Sequence, residues 1–174
     1  MPLTLAGLCG LALLASPREP AIEFAGETYR PAYRAENADL KLVEFVRDGE
    51  TIETWTKLFA VRHFPKLADP ATAVANVRRA LAEQNPLAKS QLLVKEDGSE
   101  AMIDFLTWGE GAPGMEFNVF LYLRQPGLPG LVCYQFAARI NDSRTVSADE
   151  LRARKDAWCR QLREMDLPVV LGRK

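Results

Sequence analysis

The sequence predicts an α+β protein, an antiparallel sheet of about six to seven strands with two helices packed on it. Three observations predict it. Apolar residues alternate with period two over most of the chain. Twice the period changes to helical spacing, each time behind a capping signal. The stretches between the later period-two runs are short and turn-like, which makes their strands antiparallel neighbours.

Taken in order, Glu27–Arg34 is a weak strand that Pro31 marks as an edge or a broken one. Leu40–Arg47 alternates more strongly and runs into an Asp48-Gly49 turn. Thr54–Phe64 is long and rich in β-branched and aromatic residues. Asp69-Pro70 then places a cap and a proline at the start of a helix, with Val74, Val77 and Leu81 on one side and Pro86 ending it. Gln91–Lys95 is a short strand and Ala101–Trp108 a longer one. Met115–Arg124 has the clearest alternation: Met115, Phe117, Val119, Leu121 and Leu123 point one way. Leu131–Ile140 presents Val132, Tyr134, Phe136, Ala138 and Ile140 on its apolar side. Ser147-Ala-Asp-Glu150 is a capping box, and the helix behind it carries Leu151, Trp158, Leu162 and Met165 on one side.

Residues Leu3–Ala15 (LTLAGLCGLALLA) form an uncharged run of 13, followed by the helix-stopping Ser16-Pro17-Arg18-Glu19-Pro20. Spanning a bilayer core takes about 20 residues, whereas a secretory h-region takes 7–15, roughly the length seen here. Residues 1–16 are therefore expected to be a leader, with an uncleaved anchor or a cytosolic helix as the other readings. Residues 21–174 are expected to fold as one domain. The expected location is the periplasm or cell envelope, with the cytoplasm as the alternative.

The chain has 22 Lys and Arg against 23 Asp and Glu, a formal net charge of −1, so no basic excess points to nucleic acid. Arg152, Arg154, Lys155, Arg160 and Arg163 are interspersed with Glu150, Asp156, Glu164 and Asp166, which reads as a solvated helix face. Any membrane contact is expected only through an uncleaved leader.

Segment Glu44-Phe-Val-Arg-Asp-Gly-Glu-Thr-Ile-Glu-Thr-Trp-Thr56 resembles a stretch in small exported bacterial proteins of unknown function. There a glutamate and an aromatic precede a Gly-Glu turn, and Trp-Thr or Trp-Ser opens a strand. The resemblance implies bacterial export and transfers no catalytic residue. By element order alone the chain is also similar to the PsbP-type fold, which implies an architecture and no activity.

Gly109-Glu-Gly111-Ala-Pro-Gly114 matches GxGxxG, but a strand pattern rather than a helix follows it, so a hairpin loop is expected. His63 is the single histidine, and a strand-end position near solvent is its ordinary reading. With Cys9 in the leader, Cys133 and Cys159 remain, either as a disulfide closing the last strand onto the last helix or as two buried thiols. No spacing suggests a metal or a cofactor. Asn118, Phe120, Tyr122 and Arg124 share the mixed face of their strand. That face is either a shallow amphipathic binding surface or a second core layer beneath a helix.

The function expected is that of a non-enzymatic envelope protein binding a partner protein or a small amphipathic ligand. A small hydrolase or thiol-dependent enzyme using Cys133 with His63 is the alternative.

Overall fold

The computed structural model describes residues 21–108, 114–141 and 146–166. Eight strands and two helices follow in the order β1 (Ile22–Phe24), β2 (Glu27–Glu36), β3 (Lys41–Arg47), β4 (Lys57–Phe64), α1 (Pro70–Gln84), β5 (Ser90–Val94), β6 (Glu100–Trp108), β7 (Met115–Leu123), β8 (Leu131–Ile140) and α2 (Ala148–Glu164). The strands form one antiparallel sheet in the order β1-β2-β3-β4-β8-β7-β6-β5. The class is α+β, with one strand more than the periodicity suggests. Both helix starts lie where the capping signals place them. Asp69 accepts from the Thr72 amide at 2.8 Å, and Ser147 accepts from the Glu150 amide at 3.2 Å.

The sheet curls sharply. Four strand steps separate β1 from β8, about 19 Å in a flat sheet. Yet the rings of Phe24 and Phe136 stand 4.7 Å apart. The β1–β2 hairpin therefore folds over one face, where Ile22, Phe24 and Tyr29 meet Phe59 and Phe136. Helix α2 closes the same core with Trp158 on Phe117 and Phe136, and with the fully buried Leu162. Helix α1 lies on the opposite face, where Ala73, Val74 and Leu81 pack with Ile103, Tyr122, Leu131 and Cys133.

Differences from the sequence reading have local causes. Strand β1 is three residues long, too short to display a period, and it is joined to β2 through Ala25 and Gly26, both at positive φ. Strand β2 continues to Glu36 because the register shifts between Pro31 and Tyr33, a bulge that accommodates the proline. Strand β4 begins at Lys57, three residues later than expected, because residues 51–56 form a self-bonded turn.

That turn accounts for the segment resembling exported proteins. The Glu50 carboxylate accepts from the Thr56 amide at 3.1 Å, from the Thr56 hydroxyl at 2.6 Å and from Arg47 at 2.6 Å. Burial alone would raise the Glu50 carboxyl, but these donors outweigh it and hold it down to about 2. A folded value below the ordinary 4.5 means stability that is complete above that pH and lost as pH falls toward 2. Glu50→Gln is accordingly expected to cost on the order of 2 kcal/mol at neutral pH and to flatten the acid limb of thermal unfolding followed by circular dichroism. An acid limb as steep in the variant as in the parent chain would contradict this assignment.

Candidate functional site

The mixed face of β7 does not form one open surface. Tyr122 is buried under α1 against Phe64, with its hydroxyl bonded to Cys133. Arg124 clamps the loop entering α1, donating twice to the Ala68 carbonyl at 3.1 and 2.9 Å. For Tyr122 the helix makes the face a second core layer, whereas Arg124 stays exposed at its margin. Phe120 is half-buried, stacked between Phe105 and Tyr122, with the Arg62 guanidinium 5.8 Å above its ring.

Asn118 belongs to a row of polar side chains that crosses four strands. Glu44 on β3 pairs with Arg62 on β4 at 3.5 Å, and Arg62 donates to Gln135 on β8. Gln135 donates to Asn118 on β7 at 2.8 Å, and Asn118 donates to Glu116 at 2.9 Å. Glu116 faces Arg139 at 3.8 Å, and that guanidinium lies 3.9 Å over the Trp55 ring. The buried members, Asn118 and Gln135, bond to their neighbours in the row and make it a structural seam. The seam separates the α1 cluster from the cluster of Val46, Trp55, Leu58 and Ala60.

Cys133 and Cys159 are free, so no disulfide joins them. The physical reason is topological: Cys133 packs in the cluster under α1, and Cys159 in the cluster under α2 on the other face. Nor does Cys133 meet His63. Arg62 is the register partner of Cys133 and His63 that of Val132, so the thiol and the imidazole project to opposite faces. Burial pushes the Cys133 thiol up to about 12. His63 is buried rather than near solvent, with its Nε2 2.7 Å from the Pro129 carbonyl. In the GxGxxG segment, residues 109–113 lie outside the described residues; the segment links β6 and β7, which pair antiparallel. Among the described residues no group of three His, Cys, Asp or Glu side chains could hold a metal. No helix among them is long and apolar enough to cross a membrane.

Among the described residues, a concave site lies on the α2 face, at the end of the sheet opposite β1. Helix α2 packs over β7 and β8. Beside it, β6 and the edge strand β5 floor a trough of two adjoining cavities, about 430 and 270 Å³, that share Gln91 and Asp104 as walls. The larger one is lined by Leu106, Ala148 and Leu151, the smaller by Leu92, Leu93 and Met102.

Between the cavities stands a nearly buried ion pair. Lys155 Nζ lies 3.0 Å from Asp104 and donates to Gln91 at 2.7 Å, the two charged side chains being 13% and 8% exposed. The Cys159 thiol also donates to Asp104, and burial together with that carboxylate pushes the thiol up to about 12. Burial raises the Asp104 carboxyl above the ordinary carboxylate value even though Lys155 pulls it down. Arg160 and Arg163 line the smaller cavity and Lys89 and Arg152 the larger, so the rim carries more positive than negative charge. This arrangement offers an apolar floor, a basic rim and a fixed polar bridge. It holds no activated nucleophile.

Sequence reasoning did not identify this trough. One signal was available: Asp104 interrupts the apolar strand AMIDFLTW, and a lone acid there needs a buried partner. Which lysine supplies it depends on a contact 51 residues distant in sequence.

No curated protein and no solved structure matches the chain, so the PsbP comparison rests on element order alone. A model of an uncharacterised protein family matches residues 15–167, most of the chain, and the chain belongs to that family.

Proposed function

We propose that this is an exported, non-enzymatic envelope protein that binds an amphipathic ligand or a segment of a partner protein in the trough between α2 and β5. One observation carries the reading: an apolar floor beneath a basic rim, divided by the Lys155–Asp104 pair. Apolar cavities with a few fixed polar groups are the usual form of a binding site. The leader-like run at Leu3–Ala15 supports export, and the separation of Cys133 from His63 supports binding over thiol catalysis.

The test uses 8-anilinonaphthalene-1-sulfonate, an apolar ring system bearing one negative charge. The folded protein is expected to bind it saturably at one site, and Leu93→Asp, an exposed position on the floor, is expected to weaken binding about tenfold. No saturable binding, or binding unmoved by Leu93→Asp, would overturn the reading.

A further inference from the structure

We infer that the trough takes an extended peptide, acidic at both ends and apolar between, which adds to the sheet as a ninth strand beside β5. This rests on the trough being the binding site and adds the class of ligand. Strand β5 (SQLLV) ends the sheet, and four of its five residues are exposed. Leu92, Leu93 and Val94 are 37, 41 and 48% exposed on it. Natural edge strands are commonly guarded by an inward charge, a proline or a covering loop. Within β5 there is no charge and no proline, and among the described residues no strand pairs with its outer edge.

The hydrogen-bonding pattern says which groups are on offer. The Lys95 amide donates inward to the Glu100 carbonyl at 3.1 Å. In an antiparallel ladder, inward and outward groups alternate, so Gln91 and Leu93 also bond inward, and Leu92 and Val94 direct their amides and carbonyls outward. A small amphiphile cannot use such a row, whereas a peptide main chain matches it. Alternate side chains of an added strand then fall over the 270 Å³ cavity lined by Leu92, Leu93 and Met102.

Charge selects the occupant. Lys89 and Lys95 bracket the strand, and Arg160, exposed at the cavity rim, forms no ion pair among the described residues. A second copy of this chain fits poorly. In the antiparallel register that overlaps all five residues, with Leu92 opposite Leu92, Lys89 stands opposite Lys95 at both ends, and like charges directly opposite are destabilising. A partner strand with Asp or Glu at those ends reverses the sign of both contacts.

The test is a titration of the ¹⁵N-labelled protein with the capped peptide Glu-Thr-Val-Thr-Val-Thr-Glu, whose valines stand opposite Gln91 and Leu93 on the cavity face, read by amide shifts and hydrogen exchange. The Leu92 and Val94 amides are expected to shift and to exchange more slowly. A peptide ending in Lys is expected to bind about fivefold more weakly, as is the acidic peptide to Arg160→Glu. Val94→Pro, at a residue that lines neither cavity, removes an outward donor while leaving the inward bonds to β6, and is expected to weaken the peptide about tenfold with sulfonate binding retained. Sulfonate binding without any peptide effect at Leu92 and Val94 would overturn this inference and leave the trough standing. Loss of both probes would overturn the two together. Protection of those amides in the free protein, with a dimer by light scattering, would overturn it in favour of a second copy.

Discussion

Gly130→Ala will destabilise the protein by about 4 kcal/mol, whereas Gly127→Ala, in the same turn, will cost about 1–2 kcal/mol. Both glycines adopt φ of +79° in the connection from β7 to β8, so both substitutions incur the left-handed penalty of an L residue. They differ in surroundings. A Cβ at Gly127 meets nothing within 4 Å. A Cβ at Gly130 would stand 2.1 Å from the Phe64 carbonyl oxygen and 2.7 Å from two backbone atoms of Pro65. Those neighbours are main chain and cannot swing aside.

The close approach is what lets the central pairing begin. Phe64 is the register partner of Leu131, and one residue back along β4 the His63 ring bonds the Pro129 carbonyl at 2.7 Å. Moving the turn outward to admit a methyl would open the first rungs between β4 and β8, the strand pair that joins the two halves of the sheet. Urea unfolding followed by circular dichroism measures the difference. Equal costs for the two alanines would mean that the Gly130 contact does not constrain the fold.

The same turn illustrates what could be read from residues alone. Gly127-Leu-Pro-Gly130 marks a connection between strands by composition, but which glycine is pressed against β4 depends on a pairing between strands far apart in sequence. Both helices were readable because Asp69-Pro70 and Ser147 to Glu150 are local signals. Strand β1 was not, because its turn residues Ala25-Gly26 lack the Asn or Asp that usually marks a two-residue hairpin. On β7, period two assigned Asn118, Phe120, Tyr122 and Arg124 correctly to one face. It could not say that α1 covers Tyr122 while Asn118 joins Gln135, since that requires the register of β7 on β8. Period two also places Cys133 and Cys159 on no particular side of one another; only the packing of α1 and α2 on opposite faces separates them.

Lys155→Met is expected to cost about 3 kcal/mol at pH 8 and markedly less at pH 4. Removing the ammonium leaves the Asp104 carboxylate 8% exposed, with the Cys159 thiol as its remaining donor. An uncompensated buried charge costs more than the pair itself contributes. The direction with pH follows from the protons bound. The folded Asp104 carboxyl already lies above its ordinary value through burial, so its contribution is fully present below that value and is lost as pH rises through the folded one. Without Lys155 the folded value moves higher still, and the loss deepens over the same direction of pH. Asp104→Leu combined with Lys155→Met removes both charges, and the double variant is expected to recover most of the stability. Its binding behaviour then separates two roles of the pair. If the bridge is needed only to hold α2 against β6, the stable double variant will bind the acidic peptide as the parent chain does. If Lys155 also contributes to the basic rim, the double variant will be stable and yet bind the peptide more weakly, with a smaller salt dependence. The position of Lys155 between two cavities, bonded to Gln91 on the edge strand, makes the second outcome the expected one.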